Sequence, residues 1–226
     1  MDDTHLRALL GERHPFTSPA SLRRAEDYLT EEFTHLGLEV STHSFKALGG
    51  TYRNVIATLP PLVAARPAPP LIIAAHYDTV EGSPGADDNA SALAVMLEIA
   101  RNLRAVPMTR SVRFIAFCLE EENLLGSLAY VSSLQAAHEE ICGAIVLECV
   151  GYARTEEGSQ QKPPILPIAI PSALAKGSET TFPTIPRKSP TVGTATSIFC
   201  TRPPQSRQDA PLPVDGFCCE PSSERA

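Results

Sequence analysis

Leu22, Ala25, Leu29, Phe33 and Leu36 recur at three- and four-residue intervals, the spacing of one apolar helix face. Ser18 stands where it can cap that helix, Pro19 suits its first position, and Gly37 ends it. Leu38 to Phe45 alternates apolar and polar side chains as a half-buried strand does, and Tyr52 to Leu59 follows as a second strand. Pro60-Pro61 through Pro69-Pro70 is too rich in proline to join a sheet ladder and is expected to be a loop. Leu71-Ile72-Ile73-Ala74-Ala75 is apolar throughout, the signature of a strand covered on both faces. Helical spacing returns at Ala92, Val95, Met96, Ile99 and Leu103, within a helix expected from Ala90 to Leu103. Ser111 to Cys118 and Gly143 to Cys149 read as further buried strands, with a helix from Ser127 to Ala137 between them.

Strands alternating with helices predict an α/β fold whose mostly parallel sheet is flanked by helices on both faces. Ligands of such sheets bind beyond the carboxyl ends of the strands. The three buried strands end there in His76, Glu120-Glu121 and Glu148, so charged groups leave three apolar runs at one edge.

Composition narrows the function classes. The chain has 226 residues, 43% of them apolar, enough to build a real core. No apolar run reaches the roughly 20 residues of a membrane-spanning helix, so no membrane partner is expected. Met1-Asp2-Asp3-Thr4-His5 leads into no apolar stretch of a secretory signal. With 19 Lys+Arg against 26 Asp+Glu the net charge is −7, and no basic stripe offers itself to nucleic acid. The six cysteines (118, 142, 149, 200, 218 and 219) lack disulfide-framework spacing, which suggests reduced thiols and a cytoplasmic location.

The richest chemistry lies in Ala75-His76-Tyr77-Asp78-Thr79 and in Ser83-Pro84-Gly85-Ala86-Asp87-Asp88-Asn89-Ala90-Ser91. A histidine at a strand end and an aspartate a dozen residues on can converge on one metal, both being first-row metal ligands. Asp78 is spaced to accept the second N–H of the His76 imidazole and fix its tautomer. Alone, the second segment would read as a turn-rich loop with an N-cap, and Glu120-Glu121-Glu122 as a solvated turn. Together they read differently, because adjacent carboxylates leaving a buried strand are costly without a cation. Metal hydrolases use such a pair in two roles, one carboxylate as ligand and its neighbour as proton acceptor. Glu148 closes an apolar run that holds no other charge and is expected to point at the same metal.

These motifs resemble those of the M28 family of metallopeptidases, the cocatalytic zinc aminopeptidase group. The resemblance rests on His76-Tyr77-Asp78, on Pro84-Gly85-Ala86-Asp87-Asp88-Asn89-Ala90-Ser91, on Glu120-Glu121-Glu122-Asn123-Leu124-Leu125-Gly126-Ser127, and on Glu148-Cys149-Val150-Gly151. It covers about residues 5–172 and implies a three-layer zinc-exopeptidase sandwich, incomplete at its C-terminal end. It further implies that Asp88 bridges two zinc ions, that His76 and Glu148 complete the first, that Glu121 binds the second, and that Glu120 is the general base. Asp87 would then be a neighbour and not a ligand. Asn123 stands where the family has glycine, a change that alters a turn and removes no ligand. A non-proline cis peptide at Asp88-Asn89 is implied too. The expected substrate is a peptide or small aminoacyl compound, cleaved at its N-terminal bond.

The family also implies a late histidine that completes the second metal, and this chain has none after His138. More than half of its 21 prolines fall from Pro163 onward. Residues 173–226 show no periodic segment and are expected to form an atypical, disordered tail; a divergent replacement or a shifted reading frame are the alternatives. One tightly bound zinc and weakened activity are therefore expected. The competing functions are an inactive M28-like remnant and a single-zinc acyltransferase that cyclises N-terminal glutamine. M20-type metallopeptidases rank lower, since their bridging aspartate lies in a different glycine-rich motif.

Overall fold

The structure, a computed structural model, describes residues 3–63, 68–152 and 195–199. The elements run α1 (Thr4–Ala8), α2 (Pro19–His35), β1 (Glu39–Ala47), β2 (Gly50–Leu59), β3 (Leu71–His76), α3 (Ala92–Leu103), β4 (Val112–Phe117), α4 (Leu125–Ala137), β5 (Gly143–Glu148) and β6 (Ala195–Phe199). An irregular turn, Ala86–Ser91, leads into α3.

The six strands form one sheet in the order β1-β2-β4-β3-β5-β6. Its centre is parallel, with β3 paired to β4 on one side and β5 on the other. Antiparallel pairs extend both edges, β1–β2–β4 on one and β5–β6 on the other. The sheet is thus mixed and lies between helical layers, as the alternation of strands and helices requires. Side-chain parity explains why β3 and β4 are apolar at nearly every position. Ile73, Ala75, Phe114 and Ala116 join the larger core under α2 and α3, with Leu29, Phe33, Leu93 and Leu97. Ile72, Ala74 and Ile115 face the opposite way and pack with Tyr130 and Leu134 of α4. A fully buried Leu or Phe contributes roughly 1.5–3 kcal/mol by leaving water, so each face is anchored by several such residues.

Several local expectations shift. α2 starts at Pro19 and Gly37 takes φ +72 after its end, but the Ser18 side chain makes no capping bond. Its Oγ instead accepts the His14 main-chain N–H at 2.7 Å. The helix expected from Ala90 starts at Ala92, because Asp88 (φ −104, ψ 94) and Asn89 (φ −132, ψ 33) leave helical geometry. β6 lies within the tail that shows no periodicity; the other residues of that tail, and 64–67 of the proline-rich loop, lie outside the described residues. Among the described residues no helix is long and apolar enough to cross a membrane, and Cys118, Cys142 and Cys149 are free thiols.

Candidate metal centre

Because β3, β4 and β5 run parallel, their carboxyl ends share one edge of the sheet. There His76 Nε2 lies 3.0 Å from Asp88 Oδ1, 3.5 Å from Glu148 Oε1 and 3.9 Å from Glu120 Oε2. Candidate donor atoms of His76, Asp88 and Glu148 all fall within 4.8 Å of one another, and so do those of His76, Glu120 and Glu121. All five acidic and imidazole groups named from the sequence therefore gather at one place, with Glu121 grouped beside His76 and Glu120.

Buried side chains hold the loops that carry them. Asp78 is fully buried; its Oδ1 accepts the Glu120 N–H and its Oδ2 the Glu121 N–H, each at 3.0 Å. Oδ1 is also 3.5 Å from His76 Nδ1, long for a hydrogen bond, and that nitrogen has no hydrogen-bond partner. The expectation for Asp78 thus widens: it aligns the main chain of the glutamate pair as well as facing the imidazole. The Asn89 side chain donates to Leu147 O and to Glu148 Oε2, both at 3.1 Å, and accepts the Cys149 N–H at 3.3 Å. The Asp88–Asn89 peptide is cis. Asp87 is no part of the cluster around His76; its Oδ1 accepts the Gly151 N–H at 2.7 Å and the Ser91 hydroxyl at 3.0 Å. Asn54 reaches from β2 to accept the Cys118 N–H at 3.0 Å and to donate to Gly126 O at 2.9 Å. That contact fixes α4 against the loop after β4, and only glycine fits at 126, where a Cβ would lie 2.0 Å from the Cys118 carbonyl oxygen.

The electrostatics are those of acids crowded around one imidazole. Burial alone would depress the His76 imidazole, but the close carboxylates of Asp78, Asp88 and Glu148 overturn that and push it up to about 12. Asp88 is lowered in return, first by its bond to His76. Burial raises Glu120, and burial followed by the Asp88 charge raises Glu121 to about 7. Among the described residues His76 is the sole ion-pair partner of Asp78, Asp88, Glu120 and Glu148. One imidazole and several carboxylates drawn together with no Lys or Arg ion-paired to them among the described residues, one ring nitrogen left unpartnered, form a donor set suited to a divalent first-row metal.

A model of peptidase family M28 matches residues 54–175. The chain belongs to peptidase family M28. It is 36% identical over 154 residues to the uncharacterised protein YfbL of Escherichia coli, covering 63% of this chain and 46% of YfbL. It is 56% identical over 62 residues to the aminopeptidase YwaD of Bacillus subtilis, covering 27% of this chain and 14% of YwaD. The solved glutaminyl cyclase of Porphyromonas gingivalis is 26% identical with a TM-score of 0.56, over 69% of this chain and 61% of that one. The chain thus spans less than half the length of the curated relatives it matches.

Two residues that brace this M28 site, Arg13 and Asn54, carry no sequence signature; Asn89 and Ser91 lie in the motif read from the sequence, but their bonding partners do not show there. Each makes bonds to segments 58 to 72 residues away, and no local period marks such a partner.

Proposed function

We propose that the chain is a zinc-dependent metallopeptidase acting on the N-terminal bond of peptides or small aminoacyl compounds, with a single tightly held zinc. The observation that carries this reading is the convergence of acids from three chain segments on one buried imidazole nitrogen. His76, Asp88 and Glu148 would hold the tight ion, and Glu121 with Asp88 a second, weaker one. When bound, zinc acts as a Lewis acid, acidifying water and polarising a carbonyl oxygen.

The chain's own groups supply the rest. Glu120, with its carboxyl raised by burial, is the general base: it takes a proton from water and hands it to the leaving amine. Asp78 holds the Glu120 and Glu121 main chain so that their carboxylates stay turned toward His76. The acidic rim of Asp88, Glu121 and Glu148 attracts the free α-ammonium of a substrate and so favours action at an N-terminus. Turnover of an aminoacyl chromogenic substrate by the zinc-loaded chain tests the reading. Glu120→Gln is expected to keep zinc and lose at least about a hundredfold in turnover, the usual contribution of a general base; undiminished turnover contradicts it.

The likeness to the glutaminyl cyclase favours one second reading, an acyltransferase that closes N-terminal glutamine. Product analysis of a glutaminyl peptide separates the two: a cyclised terminus supports the acyltransferase, and a released amino acid the peptidase.

A further inference from the structure

The geometry points to Arg13 as the positioning residue that sets the separation between the His76 and Asp88 arms of the metal centre. Arg13 is only 2% exposed and makes no ion pair among the described residues, an expensive arrangement unless each N–H is used. Its Nε donates to Tyr77 O at 2.7 Å, Nη2 to Gly85 O at 3.1 Å, and Nη1 to Gly11 O at 2.7 Å and to Leu9 O. Its main-chain N–H donates to Thr79 Oγ1 at 2.9 Å, and beside it Gly11 donates to Pro84 O at 2.9 Å. Tyr77 lies between His76 and Asp78, and Gly85 directly precedes the turn that bears Asp88. One rigid fork therefore fastens both ends of the 77–85 loop, and that loop separates the two arms.

Two further observations agree. Gly85 has φ +57, and a Cβ there would lie 2.5 Å from Arg13 Nη2 and 2.4 Å from Thr79 Cγ2, so glycine leaves the space the guanidinium occupies. Burial depresses Arg13 to about 10, with Asp78 and Asp88 opposing the fall, so it stays cationic at neutral pH and offsets the crowd of carboxylates. Lysine cannot reproduce a planar fork that reaches several carbonyls at once.

This role rests on reading His76 and Asp88 as metal ligands, and the test keeps the two apart. Cobalt(II) affinity of the full chain and of Arg13→Lys is measured by competition with a chromophoric chelator, at a temperature where circular dichroism shows both folded. Arg13→Lys is expected to bind about tenfold more weakly, the low end of what loss of an outer-shell partner costs. Phe33→Leu, a core truncation on α2, serves as the control: it is expected to melt earlier while binding cobalt as the unaltered chain does. If Arg13→Lys does not fold, the nearly isosteric Thr79→Val, which frees the Arg13 main-chain N–H, takes its place with an expected loss of about threefold. Cobalt binding by the unaltered chain with no loss in the variant overturns the role of Arg13 alone. No cobalt binding by the unaltered chain overturns the metal reading, and the role of Arg13 with it.

Discussion

Replacing Asp78 with asparagine removes one carboxylate oxygen and the charge while leaving the shape of the side chain intact. In the structure both oxygens are used, each accepting a main-chain N–H at 3.0 Å, from Glu120 and Glu121. The amide nitrogen of asparagine would face one of those N–H groups, donor against donor, in a site closed to water. Hydrogen bonds to charged acceptors contribute about 1.5–3 kcal/mol each, so losing one and weakening the other should cost about 2–3 kcal/mol. For a chain of this length about 2–4 °C of Tm accompanies each kcal/mol, which gives a fall of about 4–12 °C in the metal-free protein. The same change frees the glutamate pair and removes the charge 3.5 Å from His76 Nδ1, so zinc affinity should drop roughly 10–100-fold. Thermal unfolding and zinc competition with a colorimetric chelator read the two effects separately. A lower Tm with unchanged zinc affinity would refute the orienting role and leave Asp78 only a loop-folding one. No change in either would refute the hydrogen-bond reasoning itself.

Two further substitutions extend the account. Gly126→Ala puts a Cβ 2.0 Å from the Cys118 carbonyl oxygen and 2.6 Å from Asn54 Oδ1, and urea unfolding should show a loss above about 3 kcal/mol because backbone must move; near-native stability would contradict that packing. Glu121 is raised from 4.5 to about 7, so its charged form destabilises the metal-free fold, an effect that grows as pH rises from about 4.5 through 7. Glu121→Gln should therefore raise metal-free stability at pH 8 by about 1 kcal/mol after solvent screening, with the gain vanishing near about pH 4; the opposite pH dependence would contradict the crowding of acids.

The central strands were legible because burial on both faces forces apolar side chains at both parities, as in Leu71–Ala75, and a charge that ends such a run stands out. For the same reason His76, the Glu120-Glu121 pair and Glu148 could be assigned to one edge of the sheet before any coordinates. Asp88 was legible only through its motif, since the turn around it has neither helical nor strand period. The short helix Thr4–Ala8 buries no residue and left no apolar stripe to read. Ser18 was misread because a serine before Pro19 fits a helix cap, whereas the competing acceptor role toward His14 is set by the preceding loop. Arg13 and Asn54 escaped because a polar residue buried against distant main chain looks, in sequence, like any exposed one. What joins them is long-range backbone bonding, and spacing along the chain does not encode it.

Zinc content after exhaustive dialysis at neutral pH, for the unaltered chain and for His76→Ala, tests the central claim most directly. The account predicts about one zinc per chain in the unaltered protein, held by three protein ligands, and none in His76→Ala. An unaltered chain that emerges without zinc, or a His76→Ala variant that keeps it, would contradict the account.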